Sequence, residues 1–390
     1  MQLSMTGFDH QPRTRIVFGC DSIDRLGELT RSVGGARALI VTDRGISSAG
    51  HVQRAIRSLA AAGLQWAVYD AVRENPTTRD VDECLAVARA EGVDVFIGLG
   101  GGSSMDTAKG CNFLLTNGGR MADYRGIGKA TQPMLPLIAI PTTAGTGSEC
   151  QSFALIAAED THMKMACGDP KAAPQVAILD PLLTLSQPRA VAACTGIDAL
   201  SHALETAVTR SRNELSGLYS QEAFRLIAGA LEAVLETPED VDARARMLLG
   251  AAYAGLAIEN SMLGAAHAAA NPLTAHLELV HGHAVGVMLP HVIRFNAEEP
   301  RSREYYHRLA VAGGLSDTSD ASDVSADRLA GRVEDLLAVA GLPTRMQISA
   351  STPLLKTLSA EAAGQWTARH NPREIGAADF EALYRAAGAA

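Results

Sequence analysis

The stretch GLGGGSSMDTAKG, residues 98–110, decides how the rest of the chain is read. It completes the apolar run VDVFIGLG (93–100) and leads into SSMDTAKGCNFLL, so its glycines fall at a predicted strand-to-helix turn. Free backbone N–H groups and the helix dipole make such a turn an anion site, and glycine lets a pyrophosphate approach without a Cβ in the way. Gly101 and Gly102 would form that cradle, with Ser103 and Asp106 as candidates to reach further ligand hydroxyls. Taken alone, the run is equally a tight packing turn. Its position is also unusual: it lies a quarter of the way along the chain, and no fitting acidic residue follows ~20 positions later, where an ordinary dinucleotide fold places one.

Upstream and downstream, short apolar runs alternate with amphipathic segments. ARALIVTD (36–43), LQWAVYD (64–70), PLIAIPTT (136–143) and QVAILD (175–180) read as strands, while HVQRAIRSLAAAG (51–63) and RDVDECLAVARAEG (79–92) read as helices. This alternation predicts an α/β domain with a mainly parallel sheet. A second glycine-rich, hydroxyl-rich turn, PTTAGTGSE (141–149), falls after a strand at the same sheet edge, offering Thr142, Thr143 and Thr146 to a nucleotide. Asp43 ends the strand ALIVTD, where a carboxylate accepts ribose hydroxyls and repels a 2′-phosphate, which favours NAD over NADP. Asp43 reads equally well as a helix N-cap.

After Pro188 the pattern changes to Ala and Leu at helical spacing. The expected division is a nucleotide-binding domain over 1–187 and an all-α domain over 188–390. Within the second, GGLSDTSDASDVSAD (313–327) reads as a long acidic surface loop. The 390 residues carry a formal charge of −9 and no basic cluster, which excludes a nucleic-acid surface. No apolar run approaches the ~18 residues of a membrane span, and the N-terminus lacks a signal pattern, so a cytoplasmic protein is expected. Six cysteines without a C-x-x-C pair predict reduced, structural thiols.

Five of the eleven histidines fall within 25 residues. TGIDALSHALE places Asp198 and His202 at i and i+4, one turn apart on one helix face. GAAHAAANPLTAHLELVHGHAVG adds His267, His276, His281 and His283 around Pro272, which is expected to break the helix between them. An i, i+4 pair also describes a solvated ion pair, and a lone His on an alanine-rich face is usually a satisfied core residue. A carboxylate and several imidazoles together in an apolar helical domain favour a metal.

Taken in order, GGGSSMDTAKG, PTTAGTGSE, LTLSQP…TGIDALSHALE and H-x13-H-G resemble the iron-containing (group III) alcohol dehydrogenases, over about residues 13–297. The resemblance implies an α/β NAD-binding domain followed by a helical metal-binding domain, the architecture shared with dehydroquinate synthases. It implies metal ligation by Asp198, His202, His267 and His281, whose donor types suit Fe(II) or Zn(II). Gly101, Gly102, Ser103 and Asp106 would meet the cofactor phosphates and nicotinamide side, with Thr142, Thr143, Thr146 and Lys164 along the nucleotide and Leu183 near the ribose or nicotinamide. Gln151, Phe153, Ile258 and Glu259 are the expected substrate pocket. The implied activity is hydride transfer between nicotinamide and a small alcohol or aldehyde polarised by the metal, in a homodimer or larger homo-oligomer.

Two departures bear on that expectation. Where the family commonly has H-x-x-x-H-P, this chain reads HAAANP, and Asn271 has no titratable proton for acid–base work. His276 and His283 are then the candidate proton relay. The usual aromatic-Ser-Asn pattern is Ile258-Glu259-Asn260, which predicts a wider, more polar pocket. The rival readings are a non-catalytic homologue, prompted by Asn271, and a metal- and NAD-dependent cyclising lyase, which would need extra Lys and Arg that the ligand loop lacks.

Overall fold

The computed structural model describes residues 6–160, 163–346 and 352–388. The chain forms two compact units, one of residues Gln11–Gln187 and one from Pro188 onward that also takes in residues 6–10. His10 meets Asn260 at 3.1 Å, which ties that short N-terminal segment to the helical unit.

In the first unit the strands are β1 (Arg15–Phe18), β2 (Arg37–Val41), β3 (Gln65–Tyr69), β4 (Val95–Gly100), β5 (Gly126–Ile127), β6 (Leu137–Pro141), β7 (Phe153–Ala157), β8 (Lys164–Gly168) and β9 (Val176–Leu179). Its helices are α1 (Leu26–Ser32), α2 (Arg44–Ser48), α3 (His51–Ala61), α4 (Thr78–Glu91) and α5 (Gly102–Asn117). Six strands form one sheet in the order β1-β9-β6-β4-β2-β3, with every pairing parallel. Parallel strands covered on both faces need apolar side chains on both. Leu39 and Val41 accordingly enter one core with Phe96 and Leu137, while Ala38 and Ile40 enter the other with Ile97, Ile138 and Ile178. Capping chemistry sets the helices: α4 opens on Thr77, whose N–H donates to Asp80 Oδ2, and stops at Gly92 in the left-handed conformation.

A second, three-stranded sheet in the order β5-β8-β7 lies outside the strand series read from sequence. The β7–β8 hairpin is antiparallel, with Phe153 opposite Gly168, where any Cβ would collide with the Phe153 ring.

Every described element of the second unit is helical: α6 (Arg189–Thr206), α7 (Glu214–Ala228), α8 (Leu231–Glu236), α9 (Val241–Glu259), α10 (Ala265–Leu277), α11 (His281–Asn296), α12 (Pro300–Ala312), α13 (Ser322–Ala340), α14 (Thr352–Gly364), the 3-10 turn Trp366–His370 and α15 (Ala377–Ala386). Two expectations are corrected here. Pro272 does not break the helix, because α10 runs through it. A proline frees carbonyls in the preceding turn. The carbonyl left without its usual N–H is that of Ala268, and the buried Tyr384 hydroxyl donates to the next one, Ala269 O, at 2.7 Å, binding α15 to the turn before the proline. The acidic stretch 313–327 is a loop only as far as Ala321; α13 starts at Ser322, with Asp323 in its first turn, where the helix dipole favours an acid. No helix among the described residues is long and apolar enough to cross a membrane.

Candidate functional site

The β4–β6 pairing puts Gly100 opposite Pro141, so the two glycine-rich turns leave neighbouring strands at matched positions. Gly100 has φ +148, a conformation reserved for glycine. Gly101 caps α5 and Gly102 is its first residue, which leaves the leading N–H groups without intrahelical acceptors. Thr143 and Thr146 face them from the second turn. A Cβ added at Gly101 would lie 3.5 Å from Thr143 Oγ1, and one at Gly102 would lie 2.8 Å from Thr146 Cγ2. Thr142 is buried with its hydroxyl lacking a hydrogen-bond partner. A glycine cradle at a helix N-terminus, lined by threonines and holding an orphaned hydroxyl, fits a nucleotide pyrophosphate.

Asp43 is the N-cap of α2 and keeps its second oxygen toward the glycine turn. Its Oδ1 accepts from Ile46 N at 3.0 Å and caps α2, while Oδ2 faces the Gly100 turn, 3.7 Å from where a Cβ on that residue would sit. Asp106 is turned elsewhere than expected. It points into the unit, accepting from Ser148 Oγ at 2.7 Å and Leu155 N at 3.1 Å. Burial raises its pKa, while Lys109 and Ser148 pull it down. Lys109, a residue not singled out in the sequence, is fully buried and donates to Ser148 O, Ser148 Oγ and Phe153 O at 2.7, 2.7 and 2.9 Å. Together these groups fasten the second turn to α5.

The remaining residues expected near cofactor or substrate divide between the two units. Ser103 lies in the first turn of α5, and its carbonyl accepts from Thr107 Oγ1. Lys164 opens β8 at an exposed position. Leu183 is buried in the same core as Ile40, Leu99 and Ile178. Gln151 donates to Thr146 O at 2.7 Å and so braces the second turn. Phe153 packs on Gly168 between the strands of the small sheet. Ile258 and Glu259 end α9, and Ile258 is buried.

In the helical unit, Asp198 Oδ1 is the meeting point of three imidazoles. Nε2 of His202, His267 and His281 lie 3.4, 3.3 and 3.8 Å from it. Donor atoms around one tetrahedral ion at about 2.1 Å stand ~3.4 Å apart, so the spacing fits a shared cation. Asp198, His267 and His281 form a set in which the donor atoms all lie within 4.8 Å of one another. His202 joins through Asp198 and stacks on His267, with ring centroids 4.9 Å apart. Asp198 Oδ1 and His267 Nε2 are buried without a hydrogen-bond partner, which suits atoms that would donate to a cation.

Burial opposes ionisation of Asp198, but the three histidines outweigh it and hold its carboxyl well below the usual range. Burial likewise lowers the His267 pKa, and Glu205 and Asp198 reverse that, lifting it to about 9. Gly282, which follows His281, lies against α6 so closely that an added Cβ would collide with the Cys194 carbonyl.

His276 and His283 are not part of this cluster. His276 Nε2 bonds Glu361 Oε2 at 2.8 Å. His283 lies two residues beyond His281, roughly 200° round α11, and its Nε2 meets Pro343 O at 2.9 Å. Asn271 Nδ2 donates to Gln365 Oε1 at 3.1 Å. Glu205 was missed in the sequence, although its spacing from Asp198, i+7, places it on the same face of α6.

A glycine cradle in one unit and an imidazole–carboxylate cluster in the other are the two features expected of a metal-dependent dehydrogenase. Residues 12–181 match the family model described as iron-containing alcohol dehydrogenase, and residues 192–388 match that of the C-terminal part of the same family. Lactaldehyde reductase of Escherichia coli (strain K12) is 34% identical over 374 residues, covering 95% of this chain and 97% of that protein. The 1,3-propanediol dehydrogenase of Klebsiella pneumoniae is 36% identical over 296 residues, 75% of this chain and 76% of its own. Among solved structures, a 1,3-propanediol oxidoreductase superposes with a TM-score of 0.93 at 32% identity, covering 98% of this chain and 100% of that one. An alcohol dehydrogenase from Oenococcus oeni gives the same TM-score at 29% identity, with the same coverage of both chains. The chain belongs to the iron-containing alcohol dehydrogenases and is an oxidoreductase acting on CH–OH groups.

Proposed function

We propose that this protein interconverts a small alcohol and its aldehyde with NAD(H), using one divalent cation, Fe(II) or Zn(II), held by Asp198, His202, His267 and His281. The observation that carries the reading is the convergence of three Nε2 atoms on one oxygen of Asp198. When bound, the cation supplies Lewis-acid polarisation of the substrate oxygen, and the nicotinamide supplies or accepts the hydride.

The chain's own residues do the rest. Asp198 contributes one negative charge to an otherwise neutral imidazole set, so the centre keeps net positive charge toward an oxygen that gains electron density. The N–H groups at Gly101 and Gly102 bind the pyrophosphate, and Thr142 offers its unsatisfied hydroxyl to the nucleotide. Asp43 Oδ2 accepts from ribose hydroxyls and disfavours a 2′-phosphate. Asn271 orients through Gln365 and holds no transferable proton, and His276 and His283 are engaged with Glu361 and Pro343. On this reading the alcohol proton passes to water. An assembly of two or more copies belongs to the same proposal, and light scattering checks it.

The deciding experiment is anaerobic reconstitution with Fe(II) and, separately, Zn(II), followed by a screen of short aldehydes, some carrying hydroxyl groups, for NADH oxidation. Activity that follows one metal and prefers NADH is expected. Full activity in metal-stripped protein would refute the reading.

A further inference from the structure

Glu205 lies on α6 at i+7 from Asp198 and i+3 from His202, and its side chain is 4% exposed. Both of its oxygens are directed at one neighbouring helix. Oε1 accepts from Ala266 N at 2.7 Å, and Oε2 meets His267 Nδ1 at 2.5 Å. The N-cap of α10 is Gly264, which has no side chain with which to cap. The first turn is instead capped from outside, by Glu205 at Ala266 and by Asn371 Oδ1 at Ala265, 3.3 Å away. A Cβ on Gly264 would lie 3.2 Å from both of those acceptor oxygens, so glycine keeps the access open.

We infer that Glu205 is a positioning residue for the metal centre, holding His267 with its proton on Nδ1 so that the Nε2 lone pair is free for the cation it shares with Asp198. The inference rests on the proposal that Asp198, His202, His267 and His281 bind a divalent cation. A neutral imidazole carries one N–H, and a carboxylate opposite Nδ1 selects the tautomer with the proton there. The same carboxylate fixes the ring's rotation and caps the helix that carries it. It thereby joins α6, the source of two ligands, to α10, the source of a third.

The test compares Glu205→Gln with Asn371→Ala, using Co(II) binding to metal-stripped full-length protein, read by its d–d absorption and by competition with a chelator. Glutamine keeps a carbonyl for the Ala266 N–H but turns its NH2 toward Nδ1. It is expected to weaken Co(II) binding about 10–100-fold, while the metal-free far-UV spectrum stays that of wild type. Asn371→Ala removes a cap without touching His267; it is expected to lower the metal-free melting temperature and leave Co(II) affinity at the wild-type value.

Equal Co(II) affinity in Glu205→Gln and wild type overturns the inference and leaves the metal reading standing. Equal weakening by both substitutions also overturns it, because capping alone would then account for the effect. Wild-type protein that takes up no Co(II), or an Asp198→Ala variant that takes up as much as wild type, overturns the metal reading itself. Should Glu205→Gln fail to fold, 15N-histidine spectra of Zn(II)-loaded wild type decide the matter. A His267 ring protonated at Nδ1 supports the inference, and one protonated at Nε2 overturns it.

Discussion

Lys109 Nζ lies 2.7 Å from both the carbonyl and the hydroxyl oxygen of Ser148, so a buried ammonium fastens the second glycine-rich turn to the helix that begins at the first. Its third proton is directed to Phe153 O at 2.9 Å. Lys109→Met would take from the buried Asp106 carboxylate the ammonium 3.9 Å away, its principal cation. Removing one partner of a buried pair costs about 3–5 kcal/mol, and chemical denaturation should show a loss of that size. A change below about 1 kcal/mol, the range of an exposed pair, would contradict the clamp.

Asp43→Gly is expected to relax cofactor choice. Glycine is a tolerable N-cap, costing only a few tenths of a kcal/mol relative to Asp, so α2 should persist. Loss of the free Oδ2 should raise the NADP-to-NAD ratio of kcat/KM about tenfold, equivalent to about 1.4 kcal/mol. An unchanged ratio would assign Asp43 to capping alone.

Stability should fall with pH through Glu149. Burial pushes its carboxyl up to about 7 from 4.5, with Lys109 opposing only in part. The folded form therefore binds the proton more tightly than the unfolded chain does. That contribution is complete below about 4.5 and is lost as pH rises through about 7, a span on the order of 3 kcal/mol. Wild-type melting temperature should decline between pH 5 and pH 8, and Glu149→Gln should flatten this decline. Parallel curves for the two proteins would remove Glu149 from the account.

The pH profile of kcat should be insensitive to the double substitution His276→Ala, His283→Ala. Both rings are bonded away from the Asp198 cluster, to Glu361 and Pro343. A shifted limb in the steady-state profile would restore the histidine relay.

Much of this was legible in the sequence because buried parallel strands are continuous apolar runs. RALIV, VFIGLG and LIAIP announce β2, β4 and β6 without ambiguity, and the glycine turns follow from where those strands end. The small sheet was harder to see: β7 and β8 are short, and β5 has two residues, so neither length nor alternation separates them from loops. Pro272 misled because the burial of Ala268, Ala269, Ala270 and Leu273 around it holds α10 together across one missing hydrogen bond, and that packing is not visible in the local sequence. For Asp106 the sequence suggested only a phosphate turn; its bonds to Ser148 and Leu155, 42 and 49 residues away, had no local signal. Glu205 carried a readable signal, a third member of the i, i+4, i+7 face, which only the meeting of α6 with α10 makes meaningful.

The contact at Gly282 has a consequence for redesign. Because α11 and α6 touch main chain to main chain there, with no side chain as a spacer, the separation of the helices that carry Asp198, His202 and His281 is set by the backbone. Accommodating a larger ion would require moving the helices apart, and residue 282 is the place to insert the wedge.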